Sequence, residues 1–169
     1  MRPVLAFAVA LVLCGLQTAL LLYLGGGSFS LALALPVVVY LGLKGGNVDG
    51  AVGAAAVGYV VDLMAGGPKG LMTFLAVALF LFSRLAGTAL SVRGKLGFAL
   101  LSGTGTFLYG LGAFALTRVV SPPEAAPGWR LLGRVAMEAV LTGVLAPLVL
   151  LLMRWIDSLV AREETGLLR

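Results

Sequence analysis

Four ionisable residues fall inside long apolar stretches of this sequence: Asp62, Arg84, Arg134 and Glu138. A charge removed from water is costly, so each of them needs a partner or a task. Arg134 and Glu138 stand four residues apart and share one face of any helix that carries them. Counting about 1.5 Å of rise per residue from the ends of their stretches puts Asp62, Arg134 and Glu138 at similar depth. The expectation is a single charge cluster in which Arg134 bridges Asp62 and Glu138. On that view Arg134→Ala destabilises the chain more than loss of both acids. Such a cluster fixes helix register with Arg134 reaching outward to water, or receives a partner, or lines an ion or substrate path. Arg84 lies deeper toward the other side, where the interface or a carbonyl is closer to hand than a carboxylate.

Other chemistry finds few residues. The chain has no His, which removes the commonest metal ligand and acid–base group and any Ser/His/Asp set. No Gly-rich phosphate loop precedes a Lys-Ser/Thr pair, and the paired Asp motifs of an intramembrane aspartyl protease are missing. The single Cys14 makes no intrachain disulfide and reads as a small apolar side chain. No enzymatic activity, metal or cofactor is expected.

The elements that carry these residues are apolar throughout. Of 169 residues, 60% are hydrophobic and 11% charged, with mean hydropathy +1.09. Ordinary soluble domains carry about 25% charged residues. The composition describes an all-α polytopic membrane protein in one domain, 1–169. With about 20 residues per span, six transmembrane helices are expected at 3–24, 28–43, 47–66, 70–91, 95–119 and 130–154. The first apolar run is longer than the roughly 7–15 residues of a signal h-region and reads as a retained helix. The stretch 28–66 is the least regular, its first span being short enough to be tilted, broken or partly re-entrant. Turn residues separate the spans, and Ser121–Gly128, with three prolines, forms an extended surface loop. Pro147 suggests a mild kink in the last span. Beyond it, 155–169 reads as an amphipathic tail on the cytoplasmic leaflet, anchored by Arg154 and Trp155.

The net charge of +5 comes from basic residues at segment ends, a topology signal rather than a nucleic-acid stripe. With the N-terminus inside, Arg2, Lys44, Arg93, Lys95, Arg154, Arg162 and Arg169 face the cytoplasm, against Lys69, Arg118 and Arg130 outside. Both termini are therefore expected to be cytoplasmic, with Asp62 near the outer end of the third span.

Small residues recur at helical spacing. Gly46, Gly50, Ala54 and Gly58, then Asp62, Gly66 and Gly70, follow one another every four residues. In water each helical glycine costs about 1 kcal/mol relative to alanine. In a bilayer small residues let helix backbones approach where the hydrophobic effect cannot drive association. Ser102, Thr106 and Gly110 repeat the theme in the fifth span, and Ala6-x-x-x-Ala10 in the first.

These residues also carry a resemblance. Pro36-Val-Val-Val-Tyr-Leu, a polar break, Gly50-x-x-Gly53, Gly58-Tyr-Val-Val-Asp62-Leu-Met and Gly66-Gly-Pro68-x-Gly70-Leu71 together resemble the signature region of the MreD family. These are rod shape-determining integral membrane proteins of bacteria. Leu141-Thr-Gly-Val-Leu-Ala-Pro147 is similar to the family's terminal helix. Tyr59 stands where the family usually has Leu, and Val37 where an acidic residue is common. The resemblance implies a non-enzymatic scaffold of the cell-elongation, peptidoglycan-synthesising machinery in the cytoplasmic (inner) membrane. It implies the single-span protein MreC as partner and, through it, MreB, RodA and a penicillin-binding transpeptidase. It also implies a fold similar to the substrate-binding subunits of energy-coupling-factor transporters. On this reading the small-residue faces, with Pro36 and Asp62, dock the helix of MreC or of a second copy.

A competing reading is a substrate-binding membrane subunit of a small-molecule, vitamin-type transporter. It would use the outer polar cluster as ligand contacts and Ala6-x-x-x-Ala10 as a docking face. A third reading is a structural assembly factor for some other complex. Gln17 and Asn47 are the amides on offer for a ligand, Asn47 on the cytoplasmic side.

Overall fold

In the computed structural model the described residues are 8–9, 11–17, 19, 32–65, 69–89, 94–120, 128 and 130–166. They form six helices and, among the described residues, no strand. These are α1 (residues 8–9, 11–17 and 19), α2 (Leu35–Lys44), α3 (Asn47–Ala65), α4 (Leu71–Ala89), α5 (Gly94–Val120) and α6 (Arg130–Gly166). Among the described residues three helical stretches are long and apolar enough to cross a membrane: Leu71–Thr88, Gly94–Val120 and Leu131–Ser158. Ala6-x-x-x-Ala10 and most of the proline-rich loop lie outside the described residues.

The bundle is organised around α2. This helix has only 10 residues, so at about 1.5 Å per residue it covers roughly half of a 30 Å hydrocarbon core. Every residue from Leu35 to Gly42 is buried, and the helix touches α3, α4, α5 and α6. Three consecutive valines, Val37 to Val39, are weak helix formers that full enclosure holds in place. Pro36 sits in the first turn, where no backbone donor is needed. Just before it, the Leu33 N–H donates to Gln17 Oε1 at 3.1 Å and the Ala32 N–H to Thr142 Oγ1 at 3.4 Å. Side chains of α1 and α6 thus close the start of a buried helix whose own neighbours, Ala34 and Leu35, offer no cap.

α3 pairs with α4, and α5 with α6. At the α5–α6 crossing a Cβ on Gly103 would lie 3.3 Å from the Ala139 carbonyl oxygen, so the two backbones nearly touch. The helix α6 runs 37 residues without interruption, through Pro147. The expected boundary between a span ending at 154 and a separate tail is not a break in the helix, which continues to Gly166. The core gathers Val37, Val38, Val39, Leu41, Ala54, Val57, Ala76, Phe80 and Met153. Outward faces are also apolar: Val48, Leu96, Leu100, Val119, Val140 and Val144 are all exposed. Such a surface suits hydrocarbon, where exposed apolar side chains carry no penalty.

Candidate functional site

Asp62 accepts four hydrogen bonds from described residues. It lies near the end of α3 and is 7% exposed. Its Oδ1 accepts from the Met72 N–H at 2.9 Å. Its Oδ2 accepts from the Gly70 N–H at 3.1 Å, the Thr73 N–H at 2.9 Å and the Thr73 hydroxyl at 2.5 Å. These donors are Gly70, just before α4, and Met72 and Thr73 of its first turn, whose N–H groups lack intrahelical acceptors. The residue before α4 is Gly70, whose φ of +91° suits glycine and which has no side chain to cap with. Asp62 supplies the cap from the preceding helix, and its negative charge meets the positive end of the α4 dipole.

The small-residue stripe leads to this cap along the α3–α4 seam. A Cβ on Gly58 would lie 2.6 Å from Thr73 Cα and 2.7 Å from Ala76 Cβ, so α4 passes against bare backbone there. Ala54 is fully buried, and Gly50 faces the Phe80 ring. Gly46 is exposed before the start of α3, Pro36 is buried in α2, and Gly66 lies outside the described residues. From Gly50 to Gly58 the stripe expected to receive a partner helix is therefore covered from within the bundle, while Gly46 and Gly70 at its ends are exposed. The physical reason is local: α4 follows α3 closely in sequence and packs on its smooth face.

The expected contact between Arg134 and Asp62 is not found among the described residues. Asp62 is held by α4, and Arg134 is exposed on α6 and is not among the partners of Asp62 in the described residues. Glu138, half-buried, lines a cavity of about 470 Å³ at the same end of the bundle. Its polar walls are Gln17, Thr106, Tyr109, Thr117 and Glu138, set among apolar side chains such as Leu35, Val61 and Phe114. The buried hydroxyl oxygens of Thr106 and Tyr109, and that of Ser102, have no hydrogen-bond partner among the described residues. A volume within the roughly 300–1,000 Å³ of ligand pockets, with a few polar groups on an apolar wall, is the composition of a small-molecule site. No group of His, Cys, Asp and Glu among the described residues is arranged to hold a metal ion.

At the opposite end Arg84 donates to the Asn47 side-chain carbonyl and, at 3.5 Å, to the Gly45 carbonyl, in keeping with the carbonyl expected for it. There the Tyr40 hydroxyl of α2 donates to the Asp157 carboxylate of α6. Neither this pair nor the role of Thr73 was legible in the spacing. Both join residues on different helices, and a cap supplied from a preceding helix leaves no local capping box. The one available signal was negative: a helix start at Gly70-Leu71 with no capping side chain of its own.

No family model, no curated protein and no solved structure matches this chain.

Proposed function

We propose that this protein is a non-enzymatic membrane scaffold of the MreD type, acting in the cell-elongation machinery of a bacterial cytoplasmic membrane. The observation that carries the proposal is that the described residues of the stretch resembling the family signature, 36–65 and 69–71, pack with α4 into one part of the bundle. Its proline starts the buried α2, its glycines form the α3–α4 seam, and its Asp62 locks the start of α4. A motif that packs two helices together, rather than building a reactive centre, fits a protein that works by holding others.

In this reading the chain makes six passes with both termini cytoplasmic, in a fold similar to energy-coupling-factor substrate-binding subunits. It binds MreC, and through it MreB, RodA and a penicillin-binding transpeptidase. Because the stripe is covered from Gly50 to Gly58, docking of MreC or of a second copy falls to the outward apolar faces. Mass spectrometry of proteins co-purified from native membranes in mild detergent tests this. Recovery of a single-span periplasmic partner, with wall synthases in smaller amounts, supports the scaffold.

A second reading, a substrate-binding subunit of a small-molecule transporter, is favoured by the 470 Å³ cavity with its unpartnered hydroxyls. Recovery of an ATPase pair together with a bound metabolite would replace the scaffold by this reading.

A further inference from the structure

A second cavity, of about 200 Å³, opens at the end of the bundle opposite Asp62. Two cations from different helices line it, Lys44 at the end of α2 and Arg154 of α6. Leu43, Phe98 and Leu150 give it an apolar wall. Lys44 Nζ stands 5.8 Å from the centroid of the Tyr40 ring, which also faces the cavity. The Tyr40 hydroxyl donates to Asp157, so that carboxylate is engaged in tying α2 to α6. Neither Lys44 nor Arg154 is paired with a carboxylate among the described residues, and both are exposed. Trp155, next to Arg154, is 60% exposed, the placement of an interfacial aromatic.

We propose that this cavity seats the phosphate of an anionic membrane lipid. Arg154 and Lys44 supply the charge-assisted hydrogen bonds, Arg154 with the two-pronged geometry that suits phosphate. Leu43, half-buried beside the buried Phe98 and Leu150, receives the glycerol. A free phosphate ion would be recognised by the same two cations but would gain nothing from the apolar wall. Basic pockets between transmembrane helices are the usual seats of anionic headgroups. The inference rests on the membrane-spanning reading of the bundle and is independent of the scaffold proposal.

The test is native mass spectrometry of the full chain in uncharged detergent, titrated with phosphatidylglycerol, with phosphatidylcholine, and with phosphatidylglycerol in excess inorganic phosphate. Phosphatidylglycerol is expected to bind more tightly than phosphatidylcholine and to resist displacement by phosphate. Lys44→Gln and Arg154→Gln are each expected to weaken it about fivefold, while Lys69→Gln, outside the cavity, leaves it unchanged. Arg154→Lys, which keeps the charge, is expected to retain more affinity than Arg154→Gln, separating charge from any loss of fold. Equal affinity in wild type and both Gln variants would overturn the proposal. So would equal binding of the two lipids, and displacement by inorganic phosphate would assign the cavity to a soluble anion instead.

Discussion

Replacing Asp62 with Ala removes the acceptor of four donors at once, among them the backbone N–H groups of Gly70, just before α4, and of Met72 and Thr73 in its first turn. In water a lost cap costs about 0.5–2 kcal/mol. Between membrane helices polar contacts average only about 0.6 kcal/mol each, because the unfolded chain finds other partners within the bilayer. Four contacts on one ionised group therefore place Asp62→Ala at about 2–3 kcal/mol of destabilisation. That is a shift of about 30- to 150-fold in the folded-to-unfolded ratio. Thr73→Val deletes one donor and keeps the backbone bonds, so it should cost about 0.6 kcal/mol alone. In the Asp62→Ala background the same change should cost almost nothing, because the acceptor is already gone. Reversible unfolding in mixed micelles, followed by circular dichroism, reads all four corners of this cycle. An Asp62→Ala protein within about 0.5 kcal/mol of wild type, or strictly additive changes, would refute the cap as the lock of the hairpin.

Three further outcomes are expected from the same assay. Gly58→Leu drives a side chain into the α4 backbone 2.6 Å away and should destabilise by at least the ~1–3 kcal/mol of an overpacked core. Any loss of partner binding in that variant should track the loss of fold. Gly70→Ala meets no atom within 4 Å, yet its φ of +91° is strained for any side chain, so a loss of about 1–2 kcal/mol is expected from backbone conformation alone. Arg134→Ala, exposed and outside the Asp62 cap, should stay within about 0.5 kcal/mol of wild type, the reverse of the order expected from the charge spacing.

The positions of the long helices were legible because hydropathy and turn residues are local signals. The expected spans 47–66, 70–91 and 95–119 lie close to α3, α4 and α5 as described. The character of α2 was only partly legible: 28–43 read as short and irregular, and burial on all sides explains how 10 residues hold a helix. Four-residue spacing revealed a smooth face on α3 but not what covers it, since a groove for an internal neighbour and one for a partner have the same residues. Asp62 stood out for its cost, whereas its partners did not, because backbone N–H groups carry no letter in a sequence. Arg134 carries the opposite charge at a similar depth by residue count. Depth alone leaves rotation about the helix axis open, and that rotation points Arg134 outward. The Tyr40–Asp157 contact spans 117 residues and has no local pattern at all.

Residue-resolved amide hydrogen exchange at Met72 and Thr73, comparing wild type with Asp62→Ala, tests the central structural claim most directly. First-turn amides without an acceptor open readily. In wild type both should be protected as firmly as amides in the middle of α4, and in Asp62→Ala that protection should be lost at these positions first. Fast exchange of Met72 and Thr73 in wild type, or protection unchanged by the substitution, would contradict a hairpin closed by Asp62.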